Sequence, residues 1–150
     1  FNDCGNFRDD WVTLKVVPES PCIFTRGIDR LELPVRHGEG KFYADEFTTR
    51  RLIEENQVVV RYAKPSGSPA DLKFPFNPNG SIYDIAGICD PSGRIFGLMP
   101  HPEAFNHWTN HPDWTRIKET IKRGYGRRQK GRGRGIRIFQ NAAEYIRNTL

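Results

Sequence analysis

His101 and Glu103 stand two residues apart in the run Gly97-Leu98-Met99-Pro100-His101-Pro102-Glu103. In extended backbone, residues two apart face the same side, so this spacing sets the carboxylate against one imidazole nitrogen. The two prolines restrict φ and stiffen the stretch. A histidine oriented by a carboxylate is a general base that serves a nucleophile. The run also follows an apolar strand-like segment, and ligand sites of open α/β sheets lie at the carboxyl ends of strands. Two residues alone are a weak motif, and an incidental surface ion pair has the same signature.

Other reactive side chains are less well placed. Cys4, Cys22 and Cys89 are odd in number and have no CxxC spacing, which argues against a disulfide framework and a zinc site. Cys89 leads into a turn, Cys22 follows Pro21, and Cys4 precedes Gly5 without a helix pattern after it. None has the context of an activated thiol. His107 and His111 have the i, i+4 spacing of a helical metal pair, but Asn110 and Pro112 disrupt such a helix and no third ligand is near in sequence. His37-Gly38-Glu39-Gly40 is a glycine-bearing loop in which backbone could approach a ligand closely.

The elements that position these groups are legible from periodicity. Trp11 to Val17 alternates apolar and polar residues and reads as a strand, as does the shorter Leu31 to Val35. Asp45 to Asn56 reads as a helix capped by Asp45, with Phe47, Leu52 and Ile53 on its buried side and Asn56 ending it. Val58 to Tyr62 reads as a buried strand, and Lys64 to Gly80 as a long loop rich in Pro, Gly, Ser and Asn. Ile82 to Cys89 and Arg94 to Met99 flank Asp90-Pro91-Ser92-Gly93, a turn signature that makes them a hairpin. Pro112 to Lys122 suits a helix. Ile136, Phe139, Ala143, Ile146 and Leu150 recur at spacings of 3, 4, 3 and 4, one apolar face of a closing helix.

A chain of 150 residues with 37% hydrophobic and 12% aromatic residues is of a size and composition for one globular domain with a core. No apolar run reaches the roughly 20 residues of a membrane span. The opening Phe1 to Asp10 has no targeting pattern; beginning without methionine, the sequence is expected to be preceded by a further segment. Free cysteines suit a reducing cytoplasm. The net charge of +5 is concentrated, since Lys122 to Arg137 holds eight Lys or Arg and no acid.

Gly97 to Glu103 resembles the His-Glu segment of the class I, triad-type glutamine amidotransferases. Leu33-Pro34-Val35-Arg36-His37-Gly38-Glu39-Gly40, Asn77-Pro78-Asn79-Gly80-Ser81 and Ile85-Ala86-Gly87-Ile88 agree in the same order. More narrowly, the chain resembles the glutaminase branch of the phosphoribosylformylglycinamidine synthases. The likeness runs from residue 1 to about residue 105 and resumes from Gly135 to Tyr145. It implies an α/β, flavodoxin-like amidotransferase domain, represented here by its C-terminal portion. His101 would shuttle protons and Glu103 would orient it, while Arg36, His37 and Gly38 would border the glutamine pocket. The nucleophilic cysteine, in a Gly-x-Cys-x-Gly-like turn, is expected upstream of these residues, so that this portion alone would not hydrolyse glutamine. No cofactor or metal is implied for this chain. ATP and Mg are implied for the synthetase partner, a subunit or domain that would take up the ammonia for purine biosynthesis.

Two departures from the family stand out. The arginine common after His-Pro-Glu is Ala104 here, and about 30 residues precede the closing helix. The domain is therefore taken as residues 1–150, a partial amidotransferase unit with a flexible basic segment at about 122–135. Arg127 to Arg134 resembles Arg/Gly-rich segments that contact nucleic acid, which supports a rival reading as a non-catalytic or nucleic-acid-binding module. A solvated charge run is the simpler account of it.

Overall fold

The computed structural model describes residues 1–124 and 133–149. Five strands form one sheet: β1 (Arg8–Val16), β2 (Arg30–His37), β3 (Val58–Ala63), β4 (Ile85–Cys89) and β5 (Phe96–Leu98), in the order β2-β1-β3-β4-β5. Three helices accompany them: α1 (Glu46–Glu54), α2 (Trp114–Lys122) and α3 (Ile136–Thr149). The mixed α/β content agrees with the sequence expectation. A flavodoxin-like domain is organised on parallel strands, and each of the four pairings here is antiparallel. Antiparallel strands attached to a largely parallel sheet are common in large α/β folds, which is the setting the resemblance implies for them.

Alternation explains the main core. Val12, Leu14 and Val16 of β1 share a face with Leu31, Leu33 and Val35 of β2, and register pairs Val12 with Leu33 and Leu14 with Leu31. Val59, Val60 and Tyr62 of β3, Ala86 and Cys89 of β4, and Ile138 of α3 complete that layer. Each such aliphatic side chain stabilises by about 1.5–3 kcal/mol when fully removed from water. On the other face Leu52 of α1 meets Val58 and Ile85 in a smaller cluster. β3 and β4 shift register between Val58 and Arg61; such irregularities bend a strand and increase its twist. The sheet curls far enough that the segment after β5, at one edge, meets β2 at the other.

Asp45 caps α1, its carboxylate accepting from Thr48 N at 2.8 Å, and Asn56 ends the helix in the left-handed region at φ 57°. Phe47, expected on the buried side, is 78% exposed, and Ile53 is also outside the core; Leu52 and Thr49 do the docking. The face of α3 differs as well. Phe139, Ala143 and Ile146 point to solvent, while Ile138 and Asn141 are buried. The docked face is turned because Asn141 anchors to the backbone of Phe24 and Arg26.

The long 64–80 loop is held from within. The buried Asp84 carboxylate accepts from Asp71 N at 3.0 Å, Leu72 N at 3.0 Å and Asn77 Nδ2 at 2.8 Å. The Asp90 turn joins β4 to β5 as a hairpin, with Asp90 accepting from the backbone N–H of Ser92, Arg94 and Ile95. Most of the basic segment, residues 125–132, lies outside the described residues. Its C-terminal end is fixed rather than free: Gly133 N donates to Asn106 O at 2.8 Å and Gly135 N to Phe105 O at 3.1 Å. No helix among the described residues is long and apolar enough to cross a membrane.

Candidate active site

After β5 the chain passes through Met99 and Pro100 to His101. Met99 N donates to Ala86 O at 3.0 Å, and His101 N donates to Pro34 O at 2.8 Å. The run is thus tied to β4 through Met99 and to β2 through His101. Pro102 then opens a 3-10 turn, Pro102–Phe105, because a ring with fixed φ and no N–H suits the first turn of a helix.

His101 Nδ1 lies 2.7 Å from Glu103 Oε1. The pair forms as the spacing suggests but by a different route, since Glu103 lies in the turn rather than in extended backbone. The His101 side chain is 36% exposed and that of Glu103 60% exposed, so both are open to a ligand. Among the described residues Nε2 of His101 has no hydrogen-bond partner. Burial of Glu103 works against its ionised form, but the hydrogen bond from His101, the backbone and the nearby Arg36 charge outweigh it and hold the carboxyl below its usual value. A carboxylate can only accept, so Nδ1 carries a hydrogen and Nε2 is the ring nitrogen left for a ligand.

Arg36, His37 and Gly38 end β2 beside this pair. Arg36 is exposed, with its guanidinium 3.5 Å from Asp9. His37 is buried at 6% exposure, with Nδ1 3.0 Å from Asn2 Oδ1 and Nε2 3.4 Å from Asn79 Nδ2. Burial lowers its pKa, and the charge of His101 acts in the same direction. Over Gly38 the space is open, since an added Cβ would meet only Phe7 at 4.0 Å. The structure therefore brings Arg36, His37, Gly38, His101 and Glu103 into one neighbourhood, with the His37 side chain beneath it rather than facing outward.

The Asn77 to Ser81 turn lies under the same loop. Asn79 Nδ2 donates to Gly40 O at 2.7 Å and to Tyr62 Oη at 3.1 Å. Sequence reasoning did not single out Asn2, whose side chain is buried against His37, or Gly135, which packs on the Pro102 turn. Their partners are far away in sequence, so no local spacing marks them.

The remaining candidates are placed elsewhere. Cys22 and Cys89 are buried, and Ser20 Oγ lies 3.6 Å from Cys89 Sγ. Cys4 is exposed on a turn with no helix after it. Its thiol pKa is lowered, chiefly by hydrogen bonding with the Asn6 backbone and also by Arg8. His107 caps a short 3-10 turn, and His111 packs its ring 4.8 Å from Trp11 with Nε2 3.5 Å from Glu32. Among the described residues no group of three or more His, Cys, Asp or Glu is arranged to hold a metal.

Comparison with known proteins places this geometry in context. Residues 1–146 match the family described as the CobB/CobQ-like glutamine amidotransferase domain. The chain is 48% identical over 145 residues to phosphoribosylformylglycinamidine synthase subunit PurQ of Methanococcus maripaludis, covering 97% of this chain and 53% of that protein. It is 43% identical over 146 residues to the subunit of the same name from Dehalococcoides mccartyi, covering 97% and 51%. The solved structure of PurLQS from Thermotoga maritima aligns with a TM-score of 0.60 and 26% identity, covering 97% of this chain and 50% of that one. The chain thus spans about half the length of the curated relatives it matches.

Proposed function

The chain belongs to the CobB/CobQ-like glutamine amidotransferase family, and we propose that it carries the proton-transfer half of a glutaminase site whose ammonia feeds phosphoribosylformylglycinamidine synthesis. The observation that carries this reading is the His101–Glu103 pair at 2.7 Å, with Nε2 of His101 free to act.

In this reading a cysteine thiol attacks the side-chain amide carbon of glutamine. His101 Nε2 accepts the thiol proton and passes it to the departing nitrogen, which leaves as ammonia. Water, deprotonated by the same imidazole, cleaves the thioester to give glutamate and restores the thiol. Glu103 remains ionised, holds the ring in the Nδ1–H form and stabilises the imidazolium between the two proton transfers. The thiol is assigned to residues of the whole protein outside these 150, because Cys22 and Cys89 are buried and Cys4 lies on a turn without the strand-to-helix elbow that exposes a nucleophile.

Arg36 and the Gly38 stretch are assigned to the glutamine's amino-acid end. Arg36 supplies a cation there, and the open space at Gly38 admits the substrate backbone. The partner is a synthetase subunit or domain that binds ATP and Mg, and the enzyme works in the cytoplasm.

The test is ammonia release from glutamine by the full-length protein assembled with its synthetase partner. Hydrolysis abolished by a thiol alkylator and lowered by roughly a hundredfold or more by H101A is expected. Hydrolysis left unchanged by H101A would refute the assignment.

A further inference from the structure

His37 sits beneath the proposed site, and its surroundings fix more than its position. The Asn2 amide nitrogen donates to Asn6 O and to His37 O, both at 2.8 Å, so its other atom is the oxygen. That oxygen accepts from Gly40 N at 3.0 Å and faces His37 Nδ1 at 3.0 Å. An amide oxygen can only accept, so Nδ1 carries a hydrogen. On the other side Asn79 is fixed in the same way, because its Oδ1 accepts from Ser81 N at 3.1 Å and Ser81 Oγ at 2.7 Å. Its Nδ2 is therefore a donor, and it faces His37 Nε2 at 3.4 Å. Nε2 must present a lone pair, since a hydrogen there would point at an N–H group.

The ring is therefore neutral, in the Nδ1–H tautomer, and wedged between two amides from distant parts of the chain. It also fills the space over Gly40, where a Cβ would come within 2.3 Å of His37 Cγ. Asn2 N donates to Gly38 O at 3.0 Å, and Asn79 Nδ2 to Gly40 O at 2.7 Å. The loop from His37 to Gly40 is thus tied at both ends, leaving Glu39 exposed between them.

We propose that His37 is a positioning residue: as a neutral Nδ1–H imidazole locked between Asn2 and Asn79, it sets the His37–Gly40 backbone against which glutamine is held for His101. This rests on the glutaminase function proposed above. A neutral ring at this place serves the chemistry in a second way. His101 gains a proton during turnover, and a charged neighbour would oppose that gain, whereas a neutral one does not. His37 itself exchanges no proton with substrate, because its ring is buried, with Nδ1 held by Asn2 and Nε2 turned to Asn79.

Two measurements on the full-length protein test this. The first needs no activity. Nitrogen-15 NMR of the histidine side chains near neutral pH should show His37 protonated at Nδ1 and bare at Nε2, the reverse of the form that free histidine favours. An Nε2–H or doubly protonated His37 overturns the proposal. The second compares H37A with H37N, whose amide nitrogen can take the place of Nδ1 and donate to Asn2. H37A should raise KM for glutamine by on the order of tenfold or more with a smaller change in kcat, as misplacement of a substrate-holding loop does. H37N should recover most of that loss.

Unchanged kinetic constants in a folded H37A protein would overturn the positioning role. So would a folded H37N protein with kcat abolished and KM unaltered, because that would make His37 a proton-transfer group. If the unaltered protein fails to hydrolyse glutamine, the function proposed above falls and the positioning role falls with it, while the tautomer measurement still reports whether the network was read correctly.

Discussion

Asn141, on the last helix, donates from one amide nitrogen to Phe24 O and to Arg26 O, both at 2.8 Å. One buried polar side chain thereby fastens α3 to the short 3-10 turn Ile23–Thr25 at the other end of the chain. N141A removes the donor and leaves two carbonyls without it, which should cost about 1–3 kcal/mol of stability. N141D, which keeps the shape but places a carboxylate against carbonyl oxygens, should cost at least as much. Urea denaturation of the full-length protein measures both.

Gly135 lies against the turn that carries Glu103. A Cβ there would come within 2.1 Å of Pro102 O and 2.9 Å of Phe105 O. G135A must therefore displace backbone, at about 1–3 kcal/mol for overpacking of this kind. Because the displaced turn holds the His101 partner, glutaminase kcat/KM should fall more than stability alone explains. Steady-state kinetics beside a thermal melt would separate the two effects.

The β4–β5 hairpin should be sensitive to acid. Hydrogen bonds from Ser92 Oγ and then from the backbone of Ile95, Ser92 and Arg94 hold the Asp90 carboxyl down at about 2, from an ordinary 3.8. A folded-state pKa below the unfolded one means that the stabilisation is fully present above pH 3.8 and is lost as pH falls towards 2. D90N should therefore be less stable than the parent at neutral pH, and the difference should close below that window. Thermal melts across pH would show it.

At the site itself, H101A should lower kcat for glutamine hydrolysis by roughly 10²–10⁴-fold, the usual contribution of a general acid–base group. E103Q keeps the side chain's shape but removes the charge that stabilises the imidazolium, so its loss should be real but smaller. Equal losses in kcat and kcat/KM would show that the pair acts in the transition state.

The strands were legible because β1 and β2 set apolar residues at every second position, Val12, Leu14 and Val16 facing Leu31, Leu33 and Val35, even though Thr13 and Pro34 between them are buried as well. The Asp90 turn and the Asp45 cap were legible because each is a local event, completed within five residues. The docked face of α3 was not. Apolar periodicity favoured Phe139 and Ile146, whereas the choice was made by Asn141, a polar residue whose worth depends on carbonyls more than a hundred positions away. The site divides the same way. His101 and Glu103 announce themselves by adjacency. The Asn2 and Asn79 that hold His37 are 35 and 42 residues from it, and no spacing rule reaches across those gaps.

The Asp84 carboxylate has a consequence for how the 64–80 loop exchanges with solvent. Asp71 and Leu72 lie outside any helix or strand, and their side chains are exposed. Their amide protons, however, point at the buried carboxylate that also holds Asn77. Deuterium uptake at those two amides should be slow, with protection comparable to that of β3 rather than of a surface loop. A stretch that looks like a tether by composition would then open only together with the body of the domain.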